Sequence, residues 1–550
     1  MVRENKISTL QATLLINRGI RTPEDAHRYL HSTAADLYDP FLMKDMRKTV
    51  ARIIKAVRNR ERMMIYGDFD VDGVTAIVVL KKAVDILGGL CDFYVPQRLT
   101  EGYGLRKEAM DEFKRKGYTL VVSVDCGIRA VEVAEHAETI GLDLIVTDHH
   151  LPGDTLPRCH SILNPKQKDC PYPEKNLAGV GVVYKLVQAL FRAMRREREA
   201  AQFLNLVAIG TVADLVSLTD ENRIIVKHGL ENLRNPENVG LKTLIEMSGI
   251  RGKEISCIDV AFKIAPRINA VGRMGGTTAA VDLFDSDDPE FVHSVVRDMN
   301  RKNVLRQQEE NIILAEIDEM MKVRRDIFDD KVLVIAGKNW HRGVIGIVAS
   351  RMVETFHRPT IVLSIENGEA HGSGRSTSKF HLLRALQHCD PLLARYGGHA
   401  LAAGLSLLSE NIDQLRRNIN EYATGEIQPA DLMPELSIDS LLDLNQISFK
   451  LLDEINELAP FGEGNPIPVF ASRNVKIYSG PWLLKDKHLK FKVGNVLQNF
   501  DAVWWKRGNL FDRLIYQKQI SIAYSLLLNE FNGVSNLQLN LRDIKFPHEL

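Results

Sequence analysis

The sequence predicts an α/β protein: two α/β lobes joined by a long helix around a cleft, followed by a C-terminal β barrel. Three observations predict this fold class. Short apolar strands alternate with helices over residues 61–285, which is the pattern of a parallel sheet covered by helices. A second alternation of this kind occupies residues 329–428, after a long helical stretch. Beyond residue 429, short β-rich runs separated by turn residues are typical of a small barrel or sandwich.

The N-terminal 60 residues are predicted to be a helical segment. Apolar residues are spaced through polar sequence there, and Thr22-Pro23 is a typical helix start. The first lobe, residues 61–285, then opens with the strand RMMIYG and the helix VDGVTAIVVLKKAVDILGG. Further strands are predicted at CDFYVP, YTLVVSVD and LDLIVTD, with a helix at AVEVAEHAETIG between the last two.

A connecting helix is predicted over residues 286–328, because Asp288 suits the N-cap position and Pro289 the first helical position. The second lobe, residues 329–428, contains the predicted strands KVLVIAG, TIVLS and GEAHGSGRS and the helix GVIGIVASRMVETF. The C-terminal β domain, residues 429–550, holds three of the four tryptophans: Trp482, Trp504 and Trp505.

Composition excludes some classes of protein and leaves others open. Lys plus Arg equals Asp plus Glu at 71 each, so a nucleic-acid interface here must rely on local basic patches. The six cysteines form no C-x-x-C pair, which argues against a zinc site or a disulfide framework. We see no secretion signal, no membrane segment and no phosphate-binding G-x-x-x-x-G-K-[ST] loop. The expected location is the cytoplasm.

Carboxylates follow three of the predicted strands. Asp68, Asp70 and Asp72 come after the first strand, Asp125 after YTLVVSV, and Asp148 after LDLIVT. In open α/β sheets, ligands bind at the carboxyl edge of the strands, so we expect these side chains to share one rim. The alternative is an exposed acidic turn, but the flanking sequence is of the buried type, where carboxylates are costly without a cation.

Imidazole and a further carboxylate extend this set. His149 and His150 follow Asp148 directly, and Asp214 lies in another apolar context, LVAIGTVADLV. Adjacent histidines on a surface loop are usually unremarkable, but these follow a buried strand. Such a ligand set suits two hard divalent cations, Mn²⁺ or Mg²⁺. A pair of these ions predicts phosphoester or phosphoanhydride hydrolysis.

The order of the motifs GDFDVDG, VDCG, TDHH and ADL resembles the DHH phosphoesterase superfamily. Within it, PQRLTEGYGL, APRINAVGRMGG, HRGVIGIVASR, GSGRS and YGGHALAAGLS resemble motifs of the RecJ family. The resemblance covers nearly the whole chain. It implies that the two lobes are a DHH and a DHHA1 domain and that the C-terminal β domain is an oligonucleotide-binding (OB) fold.

The resemblance also implies roles for individual residues. Asp125 is expected to bridge two metal ions, Asp70 to bind one of them, and Asp72, His149 and Asp214 to bind the other. Some family members have a histidine where this chain has Tyr66, and Asp68 is expected to compensate at that first ion. The predicted catalytic residues are Asp125, His149, His150, His399 and Asp68, with His399 donating to the scissile phosphate.

Nucleic-acid binding is implied for a further group of residues. Ser373, Arg375 and Arg98 are expected to form a pocket for a 5′-terminal phosphate, and Gly398 to allow close approach of the backbone to phosphate. Arg267 and Arg273 are expected to contact the strand in the cleft. In the OB fold, Trp482, Trp504 and nearby lysines are candidates for holding single strands, although at least one of Trp504 and Trp505 must face the core.

The function implied by the resemblance is that of a single-stranded-DNA-specific exonuclease. It would hydrolyse phosphodiester bonds from 5′ to 3′ by a two-metal mechanism and release mononucleotides during DNA repair and recombination. The implied partners are single-stranded DNA, a single-strand-binding protein and a repair helicase, at the nucleoid within the cytoplasm.

Two alternatives remain at this point. The first is a nanoRNase or nucleotide phosphatase of the same superfamily, a class that lacks a long C-terminal β domain. The second is a non-catalytic replication scaffold like the eukaryotic Cdc45 proteins, a class that loses metal ligands. Retention of Asp70, Asp72, Asp125, His149 and Asp214 argues against the scaffold.

Overall fold

The structure is a computed structural model of the 550-residue chain. It describes residues 1–97, 104–276, 278–531 and 533–547, apart from the side chains of Arg325, Phe328 and Phe531. The predicted fold class is confirmed, since two α/β lobes flank a long helix and a β barrel follows. In the part of the chain so described, no helix has the length and apolar character needed to cross a bilayer.

The first lobe is built on a parallel sheet. Four helices precede it: α1 (Val2–Asn5), α2 (Thr9–Asn17), α3 (Pro23–His31) and α4 (Met46–Arg58). Strands and helices then alternate: β1 (Arg62–Gly67), α5 (Val71–Ile86), β2 (Leu90–Tyr94), α6 (Lys107–Arg115), β3 (Leu120–Val124), α7 (Val131–Thr139), β4 (Asp143–Thr147) and β5 (Ser161–Leu163). All five strands are parallel, in the order β2-β1-β3-β4-β5. The carboxyl ends of β1, β3, β4 and β5 therefore meet at one edge.

Further helices complete this lobe and bound that edge. They are α8 (Gly179–Ala193), α9 (Leu204–Ala213), α10 (Asp220–Asn232), α11 (Val239–Met247), α12 (Cys257–Asp259), α13 (Ala265–Met274) and α14 (Ala279–Asp285). A π-helical turn, Val260–Ile264, joins α12 to α13. Most side chains of α8 and α9 are buried, which explains why the sequences of both helices are largely apolar.

A buried ion pair fixes α8 against α10. The Lys185 ammonium donates to a Glu221 carboxylate oxygen at 2.7 Å and to the Tyr38 carbonyl at 2.8 Å. The other Glu221 oxygen accepts from the Tyr172 hydroxyl at 2.6 Å. Both charged side chains are essentially inaccessible to solvent. The pair therefore links α8 to α10 and, through the Tyr38 carbonyl, to the segment before α4.

The connecting helix α15 (Pro289–Val323) begins where the sequence predicts, and the Asp288 carboxylate caps it by accepting from the Glu290 amide at 3.0 Å. The second lobe follows: β6 (Leu333–Lys338), α16 (Ile345–Phe356), β7 (Thr360–Glu366), β8 (Glu369–Arg375), α17 (Leu382–His388), β9 (Arg395–Gly398), β10 (Ala402–Leu408) and α18 (Ile412–Glu426). Its strand order is β6-β7-β8-β10-β9, in which the β6–β7 pair is parallel and the other pairs are antiparallel.

The C-terminal domain is a closed barrel. Its elements are β11 (Ser440–Leu441), α19 (Phe449–Asn456), β12 (Phe470–Leu484), β13 (His488–Gly494), β14 (Asn499–Trp504), α20 (Phe511–Leu514), β15 (Gln519–Phe531) and β16 (Val534–Lys545). The sheet order is β11-β12-β13-β14-β16-β15, and pairing of β12 with β15 closes the barrel. The end of the predicted run PVFA and all of NVKIYSG belong to the single strand β12, which bends at irregular positions in its register.

The N-terminal helices are divided between two cores. Leu14, Leu15 and Leu30 pack inside the C-terminal domain, whereas Met46 and Ile53 of α4 pack inside the first lobe. Polar contacts follow the same division, since the Arg18 guanidinium donates to the Asn465 side chain at 2.7 Å and to the Pro466 carbonyl at 2.7 Å. The sequence prediction treated residues 1–60 as one segment. In the structure, α2 and α3 contribute leucines to the core that also contains Leu451, Leu452 and Ile455 of α19.

Candidate metal centre

Acidic side chains converge at the carboxyl edge of the first sheet. Asp68 and Asp72 follow β1, Asp125 follows β3 and Asp148 follows β4, and all four are buried. Because β1, β3 and β4 are neighbours in the sheet, the three strand ends lie side by side. The structure therefore brings together the acids that the sequence places far apart.

Two carboxylates after β1, those of Asp70 and Asp72, accept hydrogen bonds from amides at helix N-termini. Asp70 caps α5 by accepting from the Gly73 amide at 3.0 Å. Asp72 accepts from the Gly179 and Val180 amides, at 2.6 and 2.7 Å, at the start of α8. A Cβ atom on Gly179 would lie 2.6 Å from an Asp125 carboxylate oxygen, so only glycine allows α8 to approach this closely.

Asp125 occupies a strained position at the centre of the cluster. Its φ of 60° lies in the left-handed region of the backbone map. Residues other than glycine, asparagine and aspartate rarely adopt this conformation. Its amide donates to the Thr147 carbonyl at 3.0 Å, which ties the end of β3 to the end of β4. This turn directs the Asp125 carboxylate back over the edge of the sheet, towards α8.

Three groups of ligand atoms, each group with all its atoms within 4.8 Å of one another, lie at this edge: Asp68, Asp70 and Asp125; Asp72, His149 and Asp214; and Asp125, His149 and His150. Asp125 belongs to two of these groups, and so does His149. The donor set is mainly oxygen with one or two imidazole nitrogens. It fits Mn²⁺ or Mg²⁺, as predicted, and not a thiolate-bound metal.

His149 presents a ring nitrogen to the cluster that is suited to bind a metal ion. Its Nε2 atom is buried and makes no hydrogen bond with the described part of the chain. That atom lies 3.2 Å from an Asp125 carboxylate oxygen and 3.5 Å from an Asp214 carboxylate oxygen. Burial and the charge of His150 lower the pKa of His149 to about 3, so its imidazole is neutral at pH 7 and free to bind a cation.

The carboxylates repel one another when no cation is bound. Burial, and then the charge of Asp70, raises the pKa of Asp72 to about 7. Burial, and then the charge of Asp72, raises the pKa of Asp214 to about 9 and that of Asp125 well above its usual value. Divalent cations relieve this repulsion, so the cluster has a strong electrostatic reason to bind them.

Asp148 and His150 have different positions from the rest of the set. The Asp148 carboxylate accepts from three backbone amides, those of Ile128, His149 and His150, and from His150 Nδ1 at 2.7 Å. Asp148 is therefore occupied in shaping the loop and orienting His150. The His150 side chain is 44% exposed and lies on the open side of the cluster, where a substrate could reach it.

Two polar residues at the same edge were missed in the sequence. The buried Asn164, directly after β5, donates to the His150 carbonyl at 2.9 Å and accepts from the Lys166 amide at 2.8 Å. Lys166 is half-buried, and its positive charge lowers the pKa of His149 after the larger effects of burial and His150. The only available signal was the short run SILNPK, whose three-residue strand is too brief to stand out by periodicity.

The predicted phosphate ligands of the second lobe lie together. The Arg375 guanidinium donates to Ser373 Oγ at 3.2 Å, and both side chains lie against the first turn of α16. A Cβ atom on Gly346 would be 2.9 Å from Ser373 Oγ. Gly398 has a φ of 144°, and its added Cβ would meet the Ala402 carbonyl at 2.3 Å, so the turn before His399 requires glycine.

His399 lies where the second lobe faces the first. Its ring accepts from the Leu401 amide at 3.3 Å. Burial and then the charges of Arg375 and His150 lower its pKa, which places it within electrostatic reach of both the phosphate ligands and the metal cluster. The cleft between the lobes therefore has a cluster of acids on one wall and a set of hydrogen-bond donors on the other.

The remaining residues named in the sequence prediction lie at several separate positions. Arg98 lies outside the described residues. Arg267 donates to the Asn300 side chain at 2.5 Å and to the Lys263 carbonyl, and Arg273 donates across the lobes to the Gly343 carbonyl at 2.9 Å. Tyr66 is buried on the opposite side of the sheet, where its hydroxyl donates to the Gly104 carbonyl at 2.9 Å. The Tyr66 hydroxyl is therefore engaged in the core on that face of the sheet.

Comparison with known proteins identifies the family to which this chain belongs. Three family models match: "DHH family, N-terminal domain" at residues 62–211, "DHHA1 domain" at 329–425 and "RecJ OB domain" at 438–543. The single-stranded-DNA-specific exonuclease RecJ of Bacillus subtilis is 40% identical over 98% of this chain and 68% of the relative. The chain belongs to the RecJ family. This membership confirms the predicted fold class and the predicted class of metal-dependent exonuclease.

Solved RecJ structures match the whole chain. The crystal structure of RecJ from Thermus thermophilus in complex with Mn²⁺ aligns with a TM-score of 0.86 at 28% identity, over 99% of this chain and 77% of the other. The structure of the same protein in complex with Mg²⁺ aligns with a TM-score of 0.78 at 27% identity, over 99% of this chain and 76% of the other. Both ions predicted from the donor set are thus found in RecJ structures.

Mn²⁺ should stabilise this RecJ-family protein more at high pH than at low pH. Asp72 and Asp214 have folded-state pKa values of about 7 and about 9, against about 3.9 in unfolded chains. Without cations the folded state therefore holds extra protons, and its stability falls as pH rises through this window. Cations bind the deprotonated cluster, so their effect grows with pH.

The measurement is the unfolding temperature with Mn²⁺ minus that with a chelator, at pH 6.0 and pH 8.0. We expect the larger difference at pH 8.0. The variant Asp214→Asn, which removes one of the titrating groups, should show a weaker pH dependence. An equal Mn²⁺ effect at both pH values in the unmodified protein would contradict the assigned cluster.

Proposed function

We propose that this protein removes mononucleotides one at a time from the 5′ end of single-stranded DNA. The observation that carries the proposal is the overlap of the three ligand groups: Asp125 is shared by the group with Asp68 and Asp70 and the group with His149 and His150, and His149 is shared with the group of Asp72 and Asp214. A carboxylate common to two groups is what a two-cation site requires. The Bacillus subtilis relative is named for specificity towards single-stranded DNA.

The chain's own residues would divide the work as follows. Asp125 would lie between the two ions, with Asp70 on one of them and Asp72, His149 and Asp214 on the other, while Asp68 completes the first site. When bound there, two divalent ions would supply charge stabilisation for both the attacking and the leaving oxygen of an in-line displacement at phosphorus. His150 and His399 would donate to the scissile phosphate from opposite walls of the cleft.

Exonuclease action in this proposal comes from the second lobe. Ser373 and Arg375 would bind the 5′-terminal phosphate, since a guanidinium and a hydroxyl next to a helix N-terminus suit a phosphate dianion. The chain end must then dock before the next phosphodiester bond reaches the cations. Internal bonds lack such a terminal phosphate, so the enzyme would start at ends.

The OB domain would hold the rest of the single strand. Trp482 and Trp505 expose 45% and 53% of their surface, whereas Trp504 is 6% exposed and belongs to the core. Exposed indole rings stack on unpaired bases without regard to sequence. A nanoRNase or nucleotide phosphatase would have no use for this domain. We further propose a role in DNA repair and recombination, alongside a helicase and a single-strand-binding protein.

End-labelled digestion tests the proposed direction. A 5′-phosphorylated oligonucleotide labelled at either end is incubated with Mn²⁺ or Mg²⁺ in excess. We expect the 5′ label to appear at once in mononucleotide, and the 3′ label to remain on a shortening series of products. Early release of the 3′ label, or cleavage restricted to dinucleotides, would refute the proposal.

Arg375→Ala should remove the preference for a 5′-phosphorylated end. Loss of a charge-assisted hydrogen bond costs about 1.5–3 kcal/mol, so kcat/KM for a 5′-phosphate substrate should fall by roughly 10- to 100-fold. A 5′-hydroxyl substrate should be affected far less. Arg417→Ala, an exposed arginine on α18, is the matched control and should leave both rates unchanged. Equal losses on the two substrates would argue against the pocket.

A further inference from the structure

An exposed apolar groove lies beside the metal cluster. It has a volume of about 160 Å³, and its walls are Leu215, Ile258, Phe262 and Phe461, with Leu218 beneath them. Leu215 and Phe262 expose 69% and 68% of their surface, and Ile258 exposes 53%. A continuous exposed apolar surface of this kind usually marks a binding site.

The walls of this groove are held rigidly, so the exposure is built into the fold. Leu215 has a φ of 57°, which turns the chain sharply after α9. Ile258 and Phe262 are four residues apart and share one face across the π-helical turn, a feature often found at functional sites. On the far wall, the Leu218 amide donates to the Glu463 carbonyl at 2.7 Å.

The segment that provides Phe461 is equally well fixed. Gly462 and Asn465 bond to each other through both backbone groups, at 2.9 and 3.2 Å. The buried Asn465 side chain donates to the carbonyls of Leu458 and Pro460, at 2.9 and 2.7 Å. A Cβ atom on Gly462 would lie 2.7 Å from Leu218, so this segment packs directly on the wall of the first lobe.

The groove connects the metal cluster to the OB domain. Leu215 directly follows the predicted ligand Asp214. The helical run that carries Phe262 continues into α13, where the Asn269 side chain accepts from the Val71 amide at 3.2 Å, next to Asp70. On the other side, the segment after Phe461 leads into β12 of the barrel. A strand leaving the cations towards the barrel has this surface beside its path.

The chemistry of the groove selects bases over phosphates. Among the described residues that line it, Glu463 is the one with a charged side chain, and that charge is negative. Phosphate oxygens therefore gain nothing here, whereas the flat apolar faces of bases can stack on Phe262 and Leu215. Paired bases keep their faces inside a duplex, so unpaired bases alone could use the groove.

We propose that this apolar groove binds the unpaired bases of the strand immediately 3′ of the bond being cut. The inference rests on the proposed function, because it assumes a single strand whose 5′ end lies at Ser373 and Arg375. It adds a second reason for single-strand specificity, located in the first lobe and separate from the OB domain. Base stacking would also keep the scissile bond in register after each step.

The test combines two variants with a change in the substrate. Phe262→Ala removes the aromatic face, and Leu215→Asn removes the apolar surface with a residue that tolerates a positive φ. The substrate is a 5′-phosphorylated 12-nucleotide strand, either intact or with abasic residues at positions 2 to 4. Phe291→Ala, an exposed phenylalanine on α15, is the matched control.

We expect the double variant to raise KM for the intact strand by about 10- to 100-fold, the effect of losing one stacked base. Abasic residues should raise KM similarly for the unmodified protein and add little in the double variant. kcat and the Mn²⁺-dependent rise in unfolding temperature should stay unchanged. Phe291→Ala should behave like the unmodified protein.

Equal KM increases on intact and abasic strands, or no increase at all, would overturn the inference. A binding measurement keeps the test independent of turnover: 2-aminopurine at position 3 should change its fluorescence on binding to Asp125→Asn, but not to Asp125→Asn combined with Phe262→Ala. The same change in both proteins would likewise overturn it. Failure of the unmodified protein to digest single strands would instead refute the proposed function.

Discussion

Asp125→Asn is expected to abolish nuclease turnover while leaving the fold intact. Asp125 belongs to two of the three ligand groups, so one substitution removes a carboxylate from both cation sites. The rate should fall by far more than the roughly 10- to 100-fold that loss of an outer-shell partner costs. Asparagine is the right replacement because it tolerates the φ of 60° at this position, whereas alanine would add backbone strain.

Stability measurements separate this expectation from simple misfolding. Asp125 is a buried carboxylate whose pKa is raised by burial and by Asp72, so its neutral replacement should not destabilise the protein in chelator. The variant should, however, gain little from Mn²⁺. Asp154→Asn, an exposed aspartate in a nearby loop, is the matched control. Undiminished digestion by Asp125→Asn would refute the shared role of this carboxylate.

Lys185→Met is expected to cause the largest loss of stability among single substitutions of charged residues. The change leaves the Glu221 carboxylate buried without its cation, which costs roughly 3–5 kcal/mol. For a domain of 150–250 residues this corresponds to a fall of roughly 6–20 °C in the unfolding temperature. Thermal unfolding followed by circular dichroism measures it.

Two further variants test whether the uncompensated charge of Glu221 causes the loss of stability in Lys185→Met. Lys322→Met, at an ammonium whose side chain is 60% exposed, should lower the unfolding temperature far less, although it breaks ion pairs with both Asp318 and Glu319. Lys185→Met combined with Glu221→Gln should recover part of the lost stability, because the amide keeps an acceptor for Tyr172 and carries no charge. If Lys185→Met unfolds at the same temperature as the unmodified protein, the ion pair has no such role.

The convergence of the acidic side chains could be predicted from sequence, because the prediction requires only the positions of the strands and of the aspartates that follow them. Each apolar run of β1, β3 and β4 is long enough to be identified as a strand, and each ends in aspartate. The rule that ligands bind at the carboxyl edge of a parallel sheet then places Asp70, Asp125 and His149 together. The resemblance to a family added the roles of these residues, which the pattern of apolar and acidic residues does not contain.

Other parts of the site depend on tertiary contacts that have no local signal. Asn164 and Lys166 follow a strand of three residues, which is too short to detect by periodicity. Nothing in the residues around Tyr66 says which face of the sheet it occupies. Likewise, the neighbours Trp504 and Trp505 had to lie on opposite faces, but which one is buried depends on the closure of the barrel.

The same limit applies to the exposed apolar groove. Leu215, Phe262 and Phe461 are far apart in the chain, and each is an ordinary apolar residue in its own segment. Their common surface exists because the segment before β12 packs against the loop after α9. Sequence alone predicts such residues to be core, since most large apolar side chains are buried.

The placement of α2 and α3 inside the C-terminal domain has a consequence during protein synthesis. These helices leave the ribosome well before the barrel residues that cover Leu14 and Leu15 are made. At roughly 5–20 amino acids per second, the two helices wait about 25–100 s for their partner. We therefore expect a chaperone to shield these leucines meanwhile, and prematurely terminated chains to be recognised by proteases through them.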